Sequence, residues 1–281
     1  MQNWLLPEYI EDVLPIEAQS IERLRTRLLE LYRLRGYQLV MPPLLEYIES
    51  LLTGTGKDLD LRTFKLVDQM SGRMMGIRAD MTPQVARIDA HLLNRVGITR
   101  LCYSGTVLHT RPRGVTTTRE PLQIGAEIYG HSGIESDLEI QDLLTRSLRV
   151  CGVEQACLDL GHVAIFRSLC LYGAVDADLE TAIYESMQTK DFSQLDQQTS
   201  GLDSRTRMAL LTLPQLYGDS SVLSRAAQVL PDYPEVRTAL DELEVLSMNE
   251  KRMVNIDLAD LRGYHYHSGA VFAAYVEGEA N

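Results

Sequence analysis

Cysteine is scarce in this sequence: Cys102, Cys151, Cys157 and Cys170 are the four in 281 residues. They form no CxxC pair and no histidine stands at metal-ligand spacing, so neither a disulfide framework nor a bound metal is expected. Buried free thiols in a reducing cytosol are expected instead, and with them a cytoplasmic protein. Long apolar runs are missing too. No stretch of about 18 apolar residues is present to span a bilayer. The opening MQNWLLPEYIEDVLP has neither a basic start nor an apolar core, so no signal peptide is expected. Positive charge is in deficit: 27 Lys and Arg against 39 Asp and Glu leave a formal charge of −12. A general nucleic-acid binder needs a basic face, so a tRNA-binding module is disfavoured. GxSxG, Walker and GxGxxG loops following a strand are also lacking, which removes support for those enzyme classes. LLTGTGK lacks the GK[ST] ending of a phosphate loop and reads as a turn.

What remains is ordinary globular composition, 45% hydrophobic and 23% charged, with room for one large domain or a domain carrying an insertion. PIEAQSIERLRTRLLELYRLRG starts with Pro15 at a first helical position and stops on Gly36. Between them Ile21, Leu24, Leu28 and Leu31 recur at helical spacing. GYQLVMPPLLE predicts a short strand ended by Pro42 and Pro43. RTFKLVDQMSGRMMGIRAD predicts two strands about a glycine-containing turn. Thr82 and Pro83 start a helix through QVARIDAHLL. RLCYSGTVLHT and EPLQIGAEIYG predict two strands joined by the polar loop RPRGVTTTR, and ESDLEIQDLLTRSLRVCG predicts a helix. VEQACLDLG predicts a strand. From about Ile165 to Glu250 the pattern is helical, and strands return with RMVNIDLAD and LRGYHYHSGAVFAAYVEG. The order predicts an α+β fold with a mostly antiparallel sheet flanked by helices. The expected organisation is a core of residues 1–164 and 251–281, interrupted by an α-helical insertion at 165–250. The chain stops inside a predicted strand, so the core is expected to continue past Asn281.

Three polar clusters could carry chemistry. In GIRADMTPQVAR, Arg78, Asp80 and Thr82 alternate and would share a face if the strand continues. In PLQIGAEIYG, Gln123 and Glu127 flank Gly125, which leaves room for a ligand to lie on the sheet. In LRGYHYHSG, Arg262, Tyr264, Tyr266 and Ser268 fall on one parity, and His265 and His267 on the other. A sheet face offering Asp, Thr, Gln, Glu and Arg suits a zwitterionic amino acid: carboxylates and amides take the ammonium, and the arginine fork takes the carboxylate. The plain alternative is that such alternation marks only the solvated face of an antiparallel strand.

In order, these stretches resemble the catalytic core of class II aminoacyl-tRNA synthetases, and specifically histidyl-tRNA synthetase. The segment LPEYIEDVLP to VMPPLLE resembles the family's opening helix and motif 1, with Pro43 at the motif's proline. GIRADMTPQVAR resembles its R-P-E-x-T segment, with Asp80 for the glutamate and Thr82 kept. CYSGTVLHTRPRG…REPLQIGAEIYG resembles motif 2 and keeps Gln123 and Glu127 of the amino-acid pocket. LRGYHYHSGAVF resembles the histidine motif RG-L-D-Y-Y-T-G-x-x-F, with Arg262 and Gly263 kept.

The departures from that family are as informative. Motif 2 carries an arginine for the ATP α-phosphate after G-P-M-F. Here the run is GTVLHT, with His109 in the arginine's place and the following glutamate gone. A neutral imidazole does not replace a permanent planar cation on phosphate. The aspartate of L-D-Y-Y is lost in YHYH, and neither motif 3 nor an anticodon-binding domain is found before Asn281. A retained fold with eroded catalysis resembles the ATP phosphoribosyltransferase regulatory-subunit family. That resemblance implies a non-catalytic protein of histidine biosynthesis with no cofactor. Its implied partner is the short catalytic subunit, in a hetero-oligomer built on a homodimer core through motif 1. It also implies a histidine-like pocket of Asp80, Thr82, Gln123, Glu127, Arg262 and Tyr266, with His109 as the degenerate position. The alternative is an active enzyme forming histidyl-adenylate.

Overall fold

The computed structural model describes residues 5–54, 57–112, 114, 117–248, 253–264 and 266–276. His265 lies outside the described residues. The chain forms two compact units, Met1–Gly152 and Val153–Ala280. Among the described residues no helix is long and apolar enough to cross a membrane. All four cysteines are free thiols. Cys102 and Cys170 are buried as expected, but Cys151 is exposed.

The first unit opens with α1 (Pro15–Leu34), which starts on its proline and buries Leu28 and Tyr32. The elements that follow are β1 (Gln38–Leu39), β2 (Leu45–Tyr47), α2 (Ile48–Leu51), α3 (Lys57–Arg62), β3 (Phe64–Val67), β4 (Met74–Ile77) and α4 (Thr82–Arg87). A π-helical turn, Ile88–Leu93, continues α4. Strand β5 (Thr99–Thr106), strand β6 (Leu122–Tyr129) and α5 (Ile134–Val150) complete the unit. The short strand expected before Pro42 and Pro43 is β1; β2 follows the prolines and enters a different sheet, because proline offers no ladder donor.

β5 and β6 form an antiparallel hairpin, and β1 joins β5 in parallel. Alternation gives this sheet two unlike faces. Cys102, Ile124, Ala126 and Ile128 pack against Tyr32 and Leu143 of α1 and α5. The opposite face carries Leu101 and Tyr103, packed with Val85 of α4 and Met81 just before it. Each fully buried Leu or Val contributes roughly 1.5–3 kcal/mol of transfer free energy. That amount fixes the register, since a slip of one residue would exchange the faces. A second sheet pairs β4 antiparallel with both β2 and β3.

The second unit holds β7 (Cys157–His162), helices α6 (Val163–Tyr172), α7 (Ala177–Gln188), α8 (Phe192–Gln198) and α9 (Ser204–Thr212), then β8 (Tyr217–Gly218). It ends with α10 (Ser221–Val229), α11 (Pro234–Ser247), β9 (Met253–Asp257) and β10 (Ala270–Tyr275). Asp176, Asp191 and Asp203 cap α7, α8 and α9 by accepting from exposed first-turn N–H groups, the arrangement that lets so helical a region begin its helices cleanly. The sheet order is β10-β7-β9-β8, with β7–β9 parallel and the other pairings antiparallel. Residues 165–250 thus run between β7 and β9. Phe166, Leu169, Ile183, Leu210 and Leu243 are among the buried side chains of its helices.

Candidate functional site

The polar cluster of the first unit is set by the β5–β6 register. Gly105 faces Gln123, Tyr103 faces Gly125, and Leu101 faces Glu127, so all six share one sheet face. β4 ends at Ile77, so Arg78, Asp80 and Thr82 do not alternate on a continuing strand as expected. The chain instead turns over the hairpin and starts α4 at Thr82. That turn still brings Asp80 and Thr82 to Gln123. The Gln123 amide donates from Nε2 to Asp80 Oδ1 at 2.8 Å and accepts at Oε1 from the Met81 N–H at 3.0 Å. Asp80 Oδ1 also accepts from the Thr82 N–H. Gln123 therefore holds the Asp80 turn against the sheet.

Tyr103 occupies the middle of this face. A Cβ on Gly125 would come within 2.4 Å of its ring, so the space expected above Gly125 for a ligand holds an aromatic side chain. The Tyr103 hydroxyl is 3.1 Å from Thr82 Oγ1. Glu127 stands beside it. Its Oε2 accepts from the Tyr129 hydroxyl, while Oε1 is buried and accepts no hydrogen bond. Burial raises the Glu127 pKa above the ordinary carboxylate range. The hydroxyls of Tyr129, Tyr103 and Thr82 pull it back, and Asp80 adds a smaller upward push. Burial also raises the Tyr103 and Tyr129 phenols, with Glu127 adding to it. Both phenols are therefore neutral at physiological pH.

Arg78 and His109 serve the framework. Arg78 is buried and donates from Nε to the Thr106 carbonyl at 2.8 Å and from Nη1 to the Pro42 carbonyl at 2.7 Å. Its guanidinium fills the space over Gly105. His109 is 3% exposed, with Nε2 3.0 Å from the Ala79 carbonyl. A carbonyl only accepts, so Nε2 carries the proton. The His109 N–H donates to the Arg119 carbonyl at 2.8 Å, and the His109 carbonyl accepts from the Arg119 side-chain Nε at 3.1 Å. The side chain at the degenerate motif 2 position is thus built into the turn that carries Asp80.

In the second unit the expected strand through LRGYHYHSG is a turn. β10 begins only at Ala270, so Arg262, Tyr264 and Tyr266 share no strand parity. Gly263 sits at φ +67°, and a Cβ there would meet the His267 and Tyr266 rings. This left-handed residue breaks the alternation. Arg262 points at Asp260: Nε lies 2.8 and 2.9 Å from the two carboxylate oxygens, and Nη2 also donates to Oδ2. Nη1 donates to the Tyr275 hydroxyl at 2.9 Å. The Asp260 partnership raises the Arg262 pKa. Tyr264 is buried, its ring edge-on to Phe166 and stacked on Tyr184, its hydroxyl on Glu180. Tyr266 is exposed and leans on His267.

The structure brings four of the expected residues together, Asp80, Thr82, Gln123 and Glu127, and places Arg262 and Tyr266 in the other unit. Sequence reading passed over Tyr103, Tyr129 and Asp260. Tyr129 stands two residues after Glu127, on the same strand parity, which was the available signal. Asp260 stands two before Arg262 in a turn, where parity carries no information.

Residues 9–281 match the histidyl-tRNA synthetase family model. The ATP phosphoribosyltransferase regulatory subunit of Ralstonia nicotianae is 59% identical over all of this chain and 73% of that protein. That of Nitrosospira multiformis is 58% identical with the same coverage. Among solved structures, an ATP phosphoribosyltransferase regulatory subunit/histidyl-tRNA synthetase from Bacillus halodurans superposes with a TM-score of 0.87. It is 24% identical, over 99% of this chain and 74% of that one. A class II synthetase-like fold, a motif 2 position turned inward and these relatives agree: the chain belongs to the histidyl-tRNA synthetase family, in its branch of ATP phosphoribosyltransferase regulatory subunits.

Proposed function

We propose that this chain is the non-catalytic regulatory subunit of ATP phosphoribosyltransferase, the enzyme of the first step of histidine biosynthesis. In this reading it activates the short catalytic subunit and makes it sensitive to histidine. The observation that carries the loss of synthetase chemistry is His109, buried on the Ala79 carbonyl where adenylate formation needs a cation on phosphate. The partner is the short catalytic subunit, in a cytoplasmic hetero-oligomer that binds no tRNA and rests on a homodimer core through the motif 1 region. Residues 165–250 form an insertion in the synthetase-like core. Histidine binds the first-unit cluster through its ammonium, which suits Glu127 and Asp80, with Thr82 orienting the ligand and Gln123 fixing Asp80.

The test is to mix the protein with the short catalytic subunit and measure size and phosphoribosyl transfer. A larger assembly with activity that histidine suppresses is expected. No change in either would end the functional reading. Histidine-dependent ATP–pyrophosphate exchange run alongside should stay at background. Turnover like that of a true synthetase would restore the active-enzyme alternative, which the retained Thr82, Gln123, Glu127 and Arg262 favour.

A further inference from the structure

Glu127 has two carboxylate oxygens in unlike situations. Oε2 is claimed by the Tyr129 hydroxyl from the same strand, and Oε1 is buried without a donor. A buried acceptor left unpaired is costly, and an ionised one more so. A carboxyl in that position either takes up a proton or waits for a cation. The Tyr129 hydrogen bond is made only in full to the charged form, since a hydroxyl donates best to an ionised acceptor. It also fixes which oxygen is left over, because Glu127 and Tyr129 project from the same face of β6.

We propose that Tyr129 is a positioning residue for ligand binding: its hydroxyl anchors Glu127 by Oε2 and leaves Oε1 to accept from a ligand's ammonium group. This rests on the reading that histidine binds the first-unit cluster, and it adds to that reading the residue that sets the pH range of binding. The titratable groups facing Glu127 are Tyr129 beside it, Tyr103 on β5 and Asp80 in the turn before α4. Asp89 of the π-helical turn acts on Tyr129. Repulsion from Asp80 acts in the same direction as burial, toward the protonated acid. The hydroxyls oppose both, and Tyr129 is the first among them.

The sign follows directly. An ammonium binds the ionised carboxylate, so affinity falls as pH drops through the Glu127 titration. Tyr129→Phe removes the largest opposing donor, moves that titration upward, and cuts affinity at neutral pH by about tenfold. Histidine's own imidazole titrates identically against both proteins and cancels in their ratio. The experiment is calorimetric titration of histidine into wild type, Tyr129→Phe and Glu127→Gln from acid to mildly alkaline pH. The ligand-free Glu127 carboxyl is followed in parallel by carbon-13 NMR. The expected result is a Tyr129→Phe profile displaced to higher pH, a matching upward move of the Glu127 carboxyl signal, and weak, flat binding for Glu127→Gln. If Glu127→Gln weakens binding while Tyr129→Phe keeps the wild-type profile and carboxyl titration, Tyr129 merely packs and the proposal is overturned alone. If wild type and Glu127→Gln do not differ, the histidine reading of this cluster falls and takes the proposal with it.

Discussion

The Glu127 cluster of the first unit and the Arg262 turn of the second were read from the sequence as equivalent parts of one kind of site, yet they are opposites electrostatically. Around Glu127, a half-buried carboxylate stands beside neutral hydroxyls and has an oxygen to spare. Around Arg262, the fork that would take a ligand's carboxylate is filled by Asp260, and the remaining edge reaches Tyr275. A retained residue type is therefore no measure of availability. What counts is whether the neighbours have already satisfied it. Glu127 is destabilised by the fold and has something to gain from a cation, whereas Arg262 is already in the arrangement a bidentate carboxylate would provide.

Gly125→Ala attacks the first region hardest. The added methyl meets the Tyr103 ring inside contact distance, and that ring is buried with its hydroxyl at Thr82. Overpacking of this kind costs about 1–3 kcal/mol, measurable as a lower urea midpoint. An unchanged midpoint would show that Tyr103 does not fill the face.

The pH dependence of stability gives a smaller, sharper comparison. Burial, first among its causes, holds the folded Glu127 pKa above its unfolded value. Its contribution to stability is then fully present below the unfolded pKa and is lost as pH rises through the folded one. Glu127→Gln removes that loss. Denaturation of the two proteins from pH 4 upward should show the variant gaining on wild type as pH rises. A constant difference across the range would mean that Glu127 titrates normally.

The smallest effect is expected at the second region. Arg262 is 41% exposed at its side chain against 9% for Asp260, so solvent screens the pair and Asp260→Asn should cost about 1 kcal/mol or less. Arg262→Ala should change histidine affinity less than about twofold, because Asp260 already holds the guanidinium. A large loss of affinity in Arg262→Ala, together with a gain in Asp260→Asn, would show that the ligand displaces Asp260.

The helices and the hairpin were legible because their signals are local. Pro15, Gly36 and the spacing of Leu24, Leu28 and Leu31 define α1, and alternation from Gln123 to Glu127 defines the polar face of β6. The turn at LRGYHYHSG was not legible. Its alternation imitates a strand, while Gly263 takes a left-handed conformation that no pattern of side chains reports. Arg78, read only for its parity, became a framework residue for a related reason: its acceptors are the carbonyls of Pro42 and Thr106, and any residue type can supply a carbonyl.

The sequence by itself determined the α+β class, the order of the elements, the family motifs and the replacement of arginine by His109. Periodicity, breakers and residue identity are properties of neighbours along the chain. Only the tertiary structure decided that Tyr103 lies over Gly125, that His109 is sealed against Ala79, that Glu127 keeps one unpaired oxygen and that Asp260 occupies Arg262. Those outcomes depend on burial and on distances of a few ångströms between residues brought together by strand register and turns. There, whether a charge is desolvated or already paired sets what it can still bind.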